Sequence, residues 1–168
     1  MDSPLSVPDC FDDRPPAAQD VARGVTRLFF RQDQFALCEV PLPNGRRADM
    51  VAIDSHGLLT IVEIKVSRAD LMADCKWPDY LDYCDRFYWA VPAGFHLGQF
   101  ECDTHGPDLS GLIVADRYDA EVVREAPLRK LAPARRKAET LRFARRAARR
   151  VVGDLDPALA EFAYRTGP

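Results

Sequence analysis

Apolar and polar positions alternate between two periods along the chain, and the switches between them mark the elements. Val21, Val25, Leu28 and Phe29 recur at helical spacing, which predicts a helix beginning near Pro15-Pro16, residues suited to a first turn, and ending about Arg31. Phe35 to Val40 reads as a first strand, and Asn44-Gly45 after it is a hairpin signal. Two apolar runs follow, Arg47 to Asp54 and Leu58 to Val66, separated by Ser55-His56-Gly57, and they predict a second hairpin. A second helix is expected from Asp70 or Pro78 to about Cys84, then a strand Phe87 to Val91 closed by Pro92. Residues 93–110 are loop-rich. Leu112 to Ala115 and Glu121 to Arg124 form a late hairpin around Arg117-Tyr118-Asp119. A long helix spans about Ala134 to Val151, and a short one follows Pro157. This order predicts an α+β (α/β) fold with a mixed central sheet flanked by helices. Residues 1–14 read as a mobile N-terminal tail, and residues 15–168 as a single domain.

The second hairpin carries charges that apolar strands do not ordinarily bear: Asp49 on one strand, Glu63 and Lys65 on the other. If Asp54 pairs with Leu58 across the three-residue loop, Asp49 falls directly opposite Glu63, with Cβ atoms about 5 Å apart. Lys65, two positions on, shares their face. Two such carboxylates repel by roughly 3 kcal/mol at an effective dielectric near 20. A shared proton, the lysine or a bound cation would relieve this. A two-residue loop would instead put the acids on opposite faces. Asp54 is a rival acid by composition, but its place in the turn makes it a hairpin residue. Arg47 lies two residues before Asp49 on the same side of the strand, placed either to meet phosphate or to neutralise the acids.

Composition narrows the class. The chain has 168 residues, enough for one well-cored domain, and no apolar run approaches the length of a membrane span. The N-terminus lacks a basic start and an apolar core, so no secretory signal is expected. Five scattered cysteines with no Cys-x-x-Cys pair predict reduced thiols in a cytoplasmic protein, not a disulfide frame or zinc site. The net charge of −3 hides an asymmetry: residues 1–128 sum to −10 and residues 129–168 to +7. Arg135, Arg142, Arg146 and Arg149 line one face of the long helix, widened by Arg136, Arg145 and Arg150. Ala134, Ala138, Leu141, Ala144, Ala148 and Val151 form an opposing stripe whose small residues permit close packing. Either the basic face meets nucleic-acid phosphates, or it packs on the acidic body and is neutralised there. No base-reading motif is present, so any recognition would be of backbone or structure.

The order helix, strand, Asp-bearing strand, Glu-x-Lys strand, helix, strand resembles the core of the PD-(D/E)XK nuclease superfamily, of restriction-endonuclease-like fold. The longer stretch from Arg46 to Pro92, including Glu63-Ile64-Lys65-Val66-Ser67-Arg68-Ala69-Asp70 and Lys76-Trp77-Pro78-Asp79-Tyr80, resembles the MmcB-like DNA repair family. Gly111 to Asp116 and Glu121 to Pro127 fit that family too. The resemblance implies a DNA repair protein hydrolysing phosphodiester bonds, with Asp49, Glu63 and Lys65 catalytic. Asp49, Glu63 and the Ile64 carbonyl would ligate Mg²⁺ or Mn²⁺. It implies DNA as partner, Lys76 and Tyr80 near the substrate, and often a homodimer. The superfamily also includes members that only bind nucleic acid, so a non-catalytic repair accessory is the alternative. Active members often carry a further acid on the first helix. Here that helix offers only Asp20, which either contributes to the site or pairs with Arg23 and Arg27 at helical spacing, the pairing being the expectation.

Overall fold

The apolar stripe Val21, Val25, Leu28 and Phe29 is buried in a computed structural model of the protein, as one face of α1 (Ala18–Arg31). The structure describes residues 17–159. The predicted tail at 1–14, the start of α1 at Pro15-Pro16 and most of the short helix after Pro157 lie outside them.

Six strands form one mixed sheet in sequence order: β1 (Gln34–Pro41), β2 (Arg47–Asp54), β3 (Leu59–Ile64), β4 (Arg86–Pro92), β5 (Gly111–Ala115) and β6 (Ala120–Arg124). β1–β2, β2–β3 and β5–β6 are antiparallel; β3–β4 and β4–β5 are parallel. The fold is therefore α+β, with a mixed central sheet and flanking helices. Helix α1 covers one face, packing on Met50, Ala52, Val62, Ile64, Tyr88 and Ala90. Its Gly24 is required by close approach, since a Cβ there would sit 2.1 Å from the Asp116 carbonyl oxygen in the β5–β6 turn. The other face buries Val51, Leu59, Ile61, Phe87, Trp89 and Leu112 under connecting segments and helix α3 (Pro133–Leu155).

The predicted register holds. Met50 pairs with Val62 and Ile53 with Leu59, and the Asp54 N–H donates to the Leu58 carbonyl at 3.1 Å. Gly57 takes the left-handed conformation that closes the three-residue loop (φ 75°). The Asp54 carboxylate accepts the N–H groups of His56 and Leu58, which makes it the hairpin residue it was expected to be.

Two expectations are corrected. The helix predicted up to Cys84 is two pieces, α2 (Arg68–Ala73) and a 3₁₀ helix (Trp77–Tyr83). Pro78 has no N–H to give, so it opens a new turn instead of continuing an old one. Asp74 caps the break, accepting the Lys76 N–H at 3.1 Å. The second correction concerns α3. Its inward positions are Arg136, Glu139, Phe143, Arg146, Arg150 and Gly153, whereas Leu141, Ala144, Ala148, Val151 and Leu155 face outward.

An inward arginine needs a strong partner, and Asp85 supplies it. Asp85, fully buried, precedes β4 and accepts both guanidinium N–H groups of Arg136, at 2.8 and 2.5 Å. It also accepts the Leu59 and Leu131 N–H groups at 2.8 and 2.9 Å. Burial pushes this carboxyl upward, but the Arg136 and backbone hydrogen bonds outweigh it and hold its pKa below the usual range. Arg136 bonds the Gly57 carbonyl as well, and Arg150 bonds the carbonyl of Cys38, so α3 is pinned to two sheet hairpins by its arginines.

Removing one partner of a buried pair strands the other charge. Arg136→Ala is expected to cost about 3 kcal/mol in urea unfolding at neutral pH. Because Asp85 has a depressed folded pKa, its contribution is present above the usual carboxylate range and lost as pH falls through the folded value. The gap between wild type and variant should therefore narrow in acid. An equal loss at neutral and acid pH would refute the assignment of α3 docking to this pair.

Candidate functional site: a buried carboxylate pair beside an arginine groove

Asp49 stands at an interruption of the β1–β2 ladder and just beyond the end of the β2–β3 ladder. The β1–β2 ladder skips the Glu39–Asp49 position, and Glu39 is held in the left-handed region (φ 53°). The β2–β3 ladder stops at Met50 and Val62. Side chains take over from there. The Asp49 N–H donates to Glu63 Oε1 at 3.1 Å, and the Ile64 N–H donates to Asp49 Oδ2 at 2.7 Å. The opposed acids thus exchange side-chain-to-backbone bonds across the parted strands. Each satisfies a backbone donor, and each keeps a second oxygen.

Their environment disfavours ionisation of both. Glu63 is buried at 4 % exposure, and burial, then the charge of Asp49, raises its pKa to about 8. Burial also raises Asp49, opposed by the Ile64 N–H and by Lys65. Lys65 is buried at 6 % and lies with its Nζ 5.7 Å from the centre of the Trp89 ring. Its shortest contact is Asp74 Oδ2 at 2.8 Å, followed by Glu63 Oε2 at 3.8 Å and Asp70 Oδ1 at 4.0 Å. Burial pulls the ammonium down, but the Asp74 hydrogen bond and the surrounding acids outweigh it, and the net direction is up. Lys65 is therefore a held cation. Tyr80 closes the site, donating to the Arg47 carbonyl at 3.2 Å; burial and then the nearby Glu63, Asp74 and Asp49 push its phenol upward, keeping it a proton donor.

The structure thus brings together Asp49, Glu63, Ile64, Lys65 and Tyr80. It adds Asp74 and Asp70, which in the sequence stand out only as helix punctuation. Arg47 turns outward to Glu39 at 2.6 Å, and Lys76 is exposed. Asp20 pairs with Arg117 of the β5–β6 turn, while Arg27 donates to the Tyr118 carbonyl.

A hard divalent ion suits this donor set. Ile64 donates its N–H toward Asp49, and in a strand the carbonyl of the same residue points to the same edge. The carboxylates of Asp49 and Glu63 together with the Ile64 carbonyl are an all-oxygen set of the kind Mg²⁺ and Mn²⁺ accept together with waters. Among the described residues no group of three or more His, Cys, Asp or Glu side chains is arranged to hold a metal, so such an ion would rely on the carbonyl and on water.

Beside this pair, α3 and the β1–β2 hairpin enclose a groove of about 580 Å³. Val40, Pro41, Leu42 and Phe143 floor it, and Arg46, Arg142, Arg145, Arg146 and Arg149 line it, with Glu139 the one acid. Arg142 pairs with Glu139 at 2.5 Å, and Arg135 lies over the Tyr83 ring at 5.0 Å. Asp79 orients Arg46 through two hydrogen bonds. Burial and the charges of Arg150 and Arg149 lower the pKa of Arg146, a mark of crowded positive charge. Val51, in the groove, is two residues from Asp49, about 7 Å along β2.

No curated protein sequence matches the chain. Among solved structures it is similar to the SPO1766 protein of unknown function from Silicibacter pomeroyi, with 43% identity, a TM-score of 0.76, and 88% of this chain and 95% of that chain covered. The family model described as DNA repair protein MmcB-like matches residues 7–158, which include β1 to β6 and α3. The chain belongs to the MmcB-like family of DNA repair proteins.

Proposed function

We propose that the protein is a metal-dependent nuclease that hydrolyses DNA phosphodiester bonds in repair. The observation that carries this reading is the opposed Asp49–Glu63 pair, buried beside Lys65 at the point where β2 and β3 separate. Asp49, Glu63 and the Ile64 carbonyl would hold Mg²⁺ or Mn²⁺, which when bound acidifies a water and neutralises charge on the phosphate. Lys65, kept protonated by Asp74, would stabilise negative charge developing on the phosphoryl oxygens. Tyr80 packs the site and donates to the Arg47 carbonyl, fixing the strand that bears Asp49. The arginine groove would hold the DNA backbone without reading bases, as its lack of base-edge donors other than arginine suits phosphate contacts.

A second reading is a nuclease-derived accessory factor that binds DNA without cutting it. The observation favouring it is the 2.8 Å Lys65–Asp74 contact, shorter than the 3.8 Å to Glu63, which draws the ammonium off the carboxylate pair.

The two readings separate on Glu63→Gln. The variant should fold and lose all Mn²⁺-dependent cleavage of DNA; cleavage at the wild-type rate would refute the nuclease reading, and salt-sensitive binding without cleavage in both proteins would favour the accessory one.

The same substitution has a consequence for stability. Glu63 has a folded pKa raised to about 8, so the native state holds a proton that the unfolded chain releases near its ordinary value. Wild-type stability should fall as pH rises between those two values. Glu63→Gln should flatten that slope and be the more stable protein by about 1–3 kcal/mol at pH above 8. Parallel stability–pH curves would contradict the buried pair.

For the groove, replacing Arg146 and Arg149 with Ala should weaken DNA binding equally across sequences. The slope of log affinity against log salt should shrink by about 0.9 for each phosphate no longer neutralised. An unchanged slope would place the DNA elsewhere.

A further inference from the structure

The groove between α3 and the β1–β2 hairpin changes character with depth. Val40, Val51 and Leu59 are buried at its base, and the half-buried Pro41, Leu42 and Phe143 add carbon surface around them. The more exposed side chains are basic: Arg46 from the hairpin, and Arg142, Arg145, Arg146 and Arg149 from α3. Glu139 is buried and engaged by Arg142 at 2.5 Å, so it leaves the mouth of the groove positive.

Phosphate alone does not account for this section. A phosphate brought against hydrocarbon loses its water without replacement, so a site for the DNA backbone alone needs donors at its base. A duplex fits no better. It presents phosphates on a convex surface and keeps its bases paired inside, so it would span the arginines and leave the apolar base of the groove facing water.

A nucleotide of single-stranded DNA has the polarity of the groove, with a charged phosphate at one edge and a flat base at the other. Unpaired bases stack on aromatic side chains whatever their identity, while basic residues track the backbone. The groove's volume of about 580 Å³ is that of clefts which enclose small organic ligands. Two rings line it, Tyr83 and Phe143. Tyr83 already carries the Arg135 guanidinium at 5.0 Å, so Phe143 is the ring for the base.

The groove also leads to the carboxylate pair. Val51 lines it, and Asp49 shares that sheet face two residues along β2, about 7 Å away. Ile61, which pairs with Val51, and Glu63 stand in the same relation on β3. A strand seated in the groove therefore has a course along β2 toward both acids.

We infer that the groove takes single-stranded DNA, seating an unpaired base on Phe143 while the arginines hold the flanking phosphates. That assignment rests on the groove being the DNA site proposed above, and it names the form of DNA held there. It does not depend on cleavage.

Fluorescence anisotropy of the full chain with EDTA present, so that nothing is cut, tests it. The labelled probes are oligothymidylate, an abasic strand of the same length, and a duplex with the same number of phosphates. Oligothymidylate should bind about tenfold more tightly than the abasic strand, the gain that stacking of a base gives, and more tightly than the duplex. Phe143→Leu keeps an apolar side chain but no ring. It should lose most of that tenfold and leave the abasic affinity unchanged, with thermal unfolding confirming the fold. Equal affinity of wild type for oligothymidylate and the abasic strand, or tighter binding of the duplex, would overturn the inference while leaving a groove that binds DNA. The full tenfold retained in Phe143→Leu would place the base elsewhere and overturn it too. Failure to bind any probe at low salt would overturn both the inference and the groove as a DNA site. The nuclease reading is decided separately, by cleavage in Glu63→Gln.

Discussion

Where β2 and β3 part beyond Met50 and Val62, two carboxylates replace the backbone ladder, and the site rests on that exchange. Asp49 accepts the Ile64 N–H, and Glu63 accepts the Asp49 N–H, so the strands stay joined although their main chains no longer pair. Each carboxylate is thereby fixed in direction. Burial is the main cost, raising the pKa of both, and the charge of Asp49 adds to it at Glu63. Apolar residues here would hold the strands more stably, and the proposed cation site gives ionisable oxygens a reason to stand in their place.

The rest of the architecture flanks this break in the ladder with further charge. The break between α2 and the 3₁₀ helix brings Asp74 back to Lys65 and buries Tyr80 against the strand. Asp85 anchors Arg136, and Arg150 holds the Cys38 carbonyl, so α3 lies along the β1–β2 hairpin with its remaining arginines over the groove. The acidic body and basic tail therefore do neutralise each other, but at Asp85, while the arginines around Arg146 remain crowded together.

Most of the fold was legible because it is written in local signals. The three-residue loop ending in Gly57 set the β2–β3 register, and the register alone placed Asp49 opposite Glu63. What escaped were features set by tertiary contact. Pro78 in a helix-like run could open a helix or break one, and only packing of Trp77 and Tyr80 decided between them. Asp74 sits too far from the Glu-x-Lys strand for its contact with Lys65 to follow from spacing. The apolar stripe of α3 suggested an inward face, yet the buried carboxylate of Asp85 captured Arg136 and turned the helix round. Arginine contacts that are silent in the hydrophobic pattern, Arg136 to Asp85 and Gly57 and Arg150 to Cys38, hold the helix on its other face.

If the Asp49–Glu63 pair is a proton-bearing cation site, a divalent ion and a proton must compete for it. Calorimetric titration of Mn²⁺ into the protein at pH 7, in buffers of different ionisation enthalpy, measures that competition. Binding should be accompanied by release of close to one proton, because the cation displaces the one that Glu63 retains, and both should vanish in Asp49→Asn. Binding with no proton release, or binding undiminished in Asp49→Asn, would rule the cation site out.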